Sequence, residues 1–202
     1  MGYRTYPEIK PIPPLWEHCM ELIKTDLEGP VIIEPNVFED PRGFFMETYH
    51  QQRYQESGIT PRFVQDNLSF SVKKTLRGLH YQAKQPQAKL VQVLTGEVFD
   101  VAVDLRPGSP TFGKWKGFLL SETNKRQFFI PAGFAHGFCV LSETAHFMYK
   151  CSTFYDPNDE VGVLWSDPEI GIDWPVTDPV ISEKDRRFEP LAALSQENLP
   201  QV

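Results

Sequence analysis

The sequence predicts an all-β jelly roll with a few short helices, and three observations carry the prediction. Short apolar or alternating runs recur along the chain, 13 Gly and 18 Pro break them at short intervals, and helix signals are sparse. Many short strands with little helix close most economically as a sandwich or small barrel. In chain order, Pro7-Glu8-Ile9-Lys10-Pro11-Ile12-Pro13-Pro14 reads as an extended arm, because its prolines forbid a regular helix or central strand. Residues 1–19 are therefore set apart as a proline-rich arm, and 20–202 as one domain.

Strands are expected over 31–34 and 43–48, then one short helix over 50–57 closed by Gly58. Residues 90–94, the turn Thr95-Gly96-Glu97 and residues 98–105 read as a β-hairpin. In its second strand Phe99, Val101 and Val103 share one face, while Asp100, Ala102 and Asp104 share the other. Pro107-Gly108-Ser109-Pro110 ends that strand as a loop. Further strands are expected over 116–120, 127–130, 137–141 and 146–153. Ser182-Glu183-Lys184-Asp185 has the form of a capping box before a short helical turn.

Bulk properties narrow the function. A chain of 202 residues buries an adequate core without disulfide or metal staples. The net charge of −7 argues against a nucleic-acid backbone as partner. It still permits a nucleoside diphosphate, which a few placed Arg and Lys can hold. No apolar run is long enough to cross a membrane, and the N-terminus lacks the apolar core of a secretory signal. Three cysteines without CxxC spacing point to reduced thiols and a cytoplasmic setting.

Two motifs carry candidate chemistry. Arg77-Gly78-Leu79-His80-Tyr81-Gln82 sets a cation and an imidazole around a glycine that admits close backbone approach. In a straight strand Arg77 and His80 face opposite sides, so a bend or a division of roles is required. By itself His80 is also read as a hydrogen-bonded structural residue. Pro131-Ala132-Gly133-Phe134-Ala135-His136 matches half of the cupin double-histidine pattern, P-x-G-x-x-H. The other half, an H-x-H strand, is replaced by His80-Tyr81-Gln82. A transition metal needs three or four convergent ligands, so no metal site and no cofactor are expected.

These stretches, together with Asp40-Pro41-Arg42-Gly43-Phe44-Phe45, Gln65-Asp66-Asn67, Lys89-Leu90-Val91, the run from Gly96 to Arg106, Ser109-Pro110-Thr111-Phe112-Gly113 and Ser182-Glu183-Lys184-Asp185, occur in the order found in one family. The sequence resembles the dTDP-4-dehydrorhamnose 3,5-epimerases, cupins that work without metal. The resemblance implies a cupin-type double-stranded β-helix that inverts C3 and C5 of dTDP-4-dehydro-6-deoxy-D-glucose. A carbon flanking a ketone is acidic because its carbanion is an enolate. Inversion then requires a base on one face, an acid on the other and a positive charge near the enolate oxygen.

By resemblance the base is His80, its carboxylate partner Asp185, the acid Tyr149 and the cation Lys89. Taken alone, Asp185 could equally cap its helical turn, Tyr149 could be core packing, and Lys89 a solvated strand-end lysine. The implied binding residues are Arg42, Glu47, Gln65, Asp66, Asn67, Arg77, Lys89, His136, Glu160 and Lys184. Arg42 and Arg77 suit diphosphate oxygens, and Tyr155 either stacks on the base or packs in the core. The resemblance further implies homodimers, with the segment holding Arg42 and Glu47 serving the neighbour's site. Such sharing would relieve the opposed facing of Arg77 and His80. Gln92 stands where many family members carry a basic or bulkier side chain, which leaves fine substrate preference open. A monofunctional 3- or 5-epimerase and a non-catalytic sugar-nucleotide binder are the alternatives.

Overall fold

A computed structural model describes residues 20–202, so the arm expected over residues 1–19 lies outside the described residues. Two antiparallel sheets face each other, the jelly-roll arrangement expected from the sequence. The six-stranded sheet is built from β1 (Met20–Lys24), β2 (Val31–Pro35), β5 (Gln65–Val72), β7 (Lys89–Thr95), β10 (Gln127–Ile130) and β12 (Thr144–Cys151). Its order is β1-β2-β10-β7-β12-β5. The five-stranded sheet contains β6 (Leu76–Gln82), β8 (Glu97–Asp104), β9 (Trp115–Ser121), β11 (Phe134–Val140) and β13 (Glu160–Gly162), in the order β13-β6-β11-β8-β9. A separate ribbon pairs β3 (Val37–Asp40) with β4 (Gly43–Met46).

The inner faces of both sheets meet in a core that includes Ile32, Val91, Val98, Ala102, Phe128, Phe138 and Phe147. Each outer face is covered in part. Helix α1 (Gln51–Glu56) sits where expected, with His50 accepting the Arg53 N–H at its N-terminus and Gly58 at φ +97° beyond its end. Its Tyr54 joins Ile33, Leu90 and Phe129 over the six-stranded sheet. The C-terminal segment covers the other sheet, setting Ile170, Trp174, Leu191 and Leu194 against Leu79, Val101 and Val103. The alternation read in β8 is correct, and both of its faces are buried.

The hairpin expected across Thr95-Gly96-Glu97 is not formed. β7 pairs with β10 and β12, whereas β8 pairs with β11 and β9, so the chain crosses between sheets at Gly96. Local turn chemistry cannot distinguish a hairpin from a corner, because both need a positive φ and Gly96 supplies +83°. A Cβ there would lie 2.2 Å from the Thr144 carbonyl oxygen. The capping sequence does open a short 3-10 turn, Asp185–Arg187, with the Ser182 hydroxyl accepting the Asp185 N–H at 3.1 Å. Among the described residues no helix is long and apolar enough to cross a membrane.

Candidate active site

A cavity of about 680 Å³ opens between the sheets. His80 and His136 are direct partners on β6 and β11 and both line it. Between the pairs His80–His136 and Arg77–Phe138 the register slips by one residue, a bulge on β6. Gly78 makes the bulge possible: its φ is +120°, and a Cβ would lie 2.6 Å from the Gly137 Cα. The bulge brings Arg77 and His80 to the same cavity within one chain, so the facing problem needs no second subunit. Arg77 is steadied from β5 by the Ser71 hydroxyl, 3.1 Å from its Nε.

His80 is held by the C-terminal segment. Its Nε2 lies 2.9 Å from Asp185 Oδ1, while the Gly78 N–H donates to Asp185 Oδ2 at 3.1 Å. Burial pushes the Asp185 carboxyl up, but the hydrogen bond and charge of His80, with the Gly78 N–H, outweigh it and hold the group below the ordinary carboxylate range. An ionised Asp185 takes the Nε2 hydrogen and leaves Nδ1 as the basic nitrogen. Phe188 meets the His80 ring edge-on, with centroids 5.6 Å apart.

The opposite wall comes from the six-stranded sheet. Tyr149 on β12 and Lys89 on β7 both line the cavity, with the Lys89 ammonium 6.0 Å from the Tyr149 ring centre. Burial raises the Tyr149 phenol, so it stays protonated, and burial lowers the Lys89 ammonium. Gln65 and Asn67 on β5 complete this wall. The Tyr155 N–H donates to Gln65 Oε1 at 2.9 Å, Gln65 Nε2 to Asn67 Oδ1 at 3.0 Å, and Asn67 Nδ2 to Cys151 Sγ at 3.7 Å. At the rim Glu160 accepts from the Tyr155 hydroxyl at 3.0 Å and is in an ion pair with Lys184. Burial raises the Glu160 carboxyl, but Lys184 and the nearby His80 bring it below its usual value.

Eleven of the fourteen residues expected at the site thus line one cavity: His80, Tyr149, Asp185, Lys89, Gln65, Asn67, Arg77, His136, Tyr155, Glu160 and Lys184. Three do not. Arg42 sits at the exposed tip of the β3–β4 ribbon, paired with Asp40 at 2.6 Å. Glu47 is in an ion pair with Arg53. Asp66 alternates with Gln65 and Asn67, so it points outward and meets Lys150 at 2.9 Å. Gln92 also lies away from the cavity, accepting from Gln127 Nε2 at 2.9 Å.

The sequence reading passed over Asp100. It lies on the inner face of β8, fully buried, with both oxygens at 3.0 and 2.9 Å from His136 Nε2. A carboxylate in phase with Val98 and Ala102 was the available signal. Among the described residues no group of three or more His, Cys, Asp or Glu side chains is placed to hold a metal ion.

Comparison with known proteins places this arrangement in context. A sequence model described as dTDP-4-dehydrorhamnose 3,5-epimerase matches residues 24–193. A dTDP-4-dehydrorhamnose 3,5-epimerase of Methanothermobacter thermautotrophicus is 56% identical over 172 residues, covering 84% of this chain and 93% of its own. A dTDP-4-dehydrorhamnose 3-epimerase of Streptomyces niveus is 44% identical over 169 residues, covering 83% of this chain and 82% of its own. The fold is similar to the crystal structure of dTDP-6-deoxy-D-glucose-3,5-epimerase from Legionella pneumophila in complex with dTDP-4-keto-L-rhamnose. That match has a TM-score of 0.88 and 54% identity, covering 91% of this chain and 98% of that one.

Proposed function

The chain belongs to the dTDP-4-dehydrorhamnose 3,5-epimerase family, and from that premise we propose that it is an isomerase inverting C3 and C5 of dTDP-4-dehydro-6-deoxy-D-glucose. The product is dTDP-4-dehydro-L-rhamnose. One observation carries the reading. His80 belongs to the five-stranded sheet and takes its carboxylate from the C-terminal segment, while Tyr149 and Lys89 belong to the six-stranded sheet across the same cavity.

A sugar ring held between the walls meets a base on one face and an acid on the other. His80 removes the proton beside the ketone, and Asp185 stabilises the imidazolium that forms. Lys89 lies against the oxygen where enolate charge develops. Tyr149 then delivers a proton from the opposite face, which inverts the carbon. A protonated phenol suits the donor role, and the burial that raises its pKa favours that state. Arg77 and Lys184 supply cationic contacts for the diphosphate, and the exposed ring of Tyr155 stacks on the base.

The active unit in this reading is a homodimer. Arg42 and Glu47 lie outside the chain's own cavity, and the outer face of β5 exposes Leu68, Phe70 and Val72. The aromatic ribbon with Phe38, Phe44 and Phe45 is similarly exposed. A partner covering these surfaces would receive Arg42 in its own site.

The test is proton NMR of dTDP-4-dehydro-6-deoxy-D-glucose with the protein in D₂O, with and without chelator. Deuterium at both C3 and C5, indifferent to chelator, is the expected result. Exchange at one carbon alone would make the protein a mono-epimerase, and no exchange would remove the catalytic reading.

A further inference from the structure

Asp100 has no part in the scheme above, although it is a fully buried carboxyl beside the cavity: burial pushes it up, while His136 and then Lys89 pull it back towards the charged form. A buried carboxylate is tolerated when hydrogen-bonded and matched by opposite charge. Its hydrogen-bond partner among the described residues is the single imidazole of His136. His136 is stacked on Phe147 with ring centres 6.0 Å apart. Burial holds it towards the neutral form, against the pull of Asp100. The positive charge that balances Asp100 therefore has to come from elsewhere.

Lys89 has the complementary deficiency. Among the described residues none of the ion pairs or hydrogen bonds involves its ammonium. The groups that face it are Cys151 opposite on β12, the Tyr149 ring, Glu160 on β13, Asp100 on β8 and His136 on β11. Burial keeps the Cys151 thiol and the Tyr149 phenol neutral. Glu160 is already committed to Lys184 and the Tyr155 hydroxyl. Asp100 remains as the negative charge with no cation bonded to it.

We propose that Asp100 is a positioning residue of this site: it anchors His136 on one wall and supplies the buried negative charge matched to Lys89 on the other. Asp100, His136 and Lys89 then form a neutral set, carboxylate, imidazole and ammonium. The arrangement lets a buried lysine remain cationic without a carboxylate bonded to its nitrogen. A bonded carboxylate would compete with the enolate oxygen for that cation, whereas a more remote one does not. The inference rests on the reading that Lys89 faces the enolate oxygen.

The experiment is the pH dependence of deuterium exchange at C3 and C5, comparing the intact protein with Asp100→Asn and Lys89→Ala. Asn keeps an acceptor for His136 and removes the charge. Without that charge Lys89 loses its proton at lower pH, so the alkaline limb of kcat should move down by about one unit. At the upper end of the original plateau that is roughly a tenfold loss. KM should change by less than about threefold, since Asn keeps the acceptor that positions His136. A uniform fall in kcat with the limb in place would reduce Asp100 to a packing role and overturn the proposal. Near-normal turnover in Lys89→Ala would overturn the assignment of Lys89 itself, a separate failure. Should Asp100→Asn not fold, the Nζ resonance of Lys89 in the unaltered protein, with isotope-labelled lysine, decides: an amine already neutral at pH 7 sinks the proposal.

Discussion

His80 and Asp185 lie 105 positions apart in sequence and 2.9 Å apart in space, and the proposed chemistry depends on that pair. His80→Ala should lower kcat by about 10²- to 10⁴-fold, the usual effect of removing a catalytic base. The thermal midpoint should hardly move, because the imidazole contributes little to the core; near-normal exchange in D₂O would sink the mechanism. A second carboxylate serves stability alone. Asp104 accepts from Arg106, Ser109 and Thr111 in the loop after β8. Burial raises its carboxyl, but those bonds more than reverse this and take it down to about 2. A depressed folded-state value stabilises above the unfolded-state pKa and is lost as pH falls through the folded one. Stability on the order of 2 kcal/mol should thus disappear between about pH 4 and pH 2. Asp104→Asn should remove that part of the acid dependence in denaturant titrations, and an unchanged pH profile would refute the assignment. Single residues of this kind were legible where a motif held them, as with His80 and His136. Asp100 was not, because in the sequence it is one more alternating position of a strand.

At the level of elements the bulge in β6 makes the most exposed claim. Gly78→Ala would set a Cβ 2.6 Å from Gly137 Cα and 2.7 Å from the His136 carbonyl oxygen, in a backbone region that L side chains avoid. The strands would have to separate, so a loss of about 3 kcal/mol is expected in chemical unfolding, along with most activity. A variant with wild-type stability would show that the close approach does not matter. The sequence showed that Arg77 and His80 could not share a straight strand, which forecast a bend without locating it. Strands with apolar runs, β2 and β10 among them, were legible to within a residue or so. β5 was not, for an instructive reason. Its inward positions are Gln65, Asn67 and Ser69, and its outward ones Leu68, Phe70 and Val72, the reverse of a core strand. Polar residues point inward there because they line a cavity, and pattern reading assumes a dry interior. The corner at Gly96 was missed for a different reason: strand partners are chosen by the whole sandwich, and local turn signals carry no information about them.

The whole molecule raises the question of what covers its exposed apolar face. If two copies meet there, Phe70→Glu should give a monomer by light scattering, and Arg42→Ala should raise KM by about tenfold or more while the dimer persists. A fully active monomer would remove the proposed sharing of sites. The jelly roll itself was legible from strand count and turn spacing, since few other architectures accommodate so many short strands. Which sheet each strand joins was not, because that is settled by contacts distant in sequence. The C-terminal cover has one further consequence. Tyr81 donates to the Asn198 carbonyl at 2.7 Å, and the Gln201 N–H to Ala83 at 2.8 Å, so the tail is fastened to the strand that bears His80. During synthesis His80 leaves the ribosome long before Asp185 does. A nascent chain with both sheets complete but Asp185 still in the exit tunnel has no carboxylate to orient its imidazole. Competence waits on the arrival of Asp185, and a message truncated before Ser182 lacks the carboxylate that orients His80.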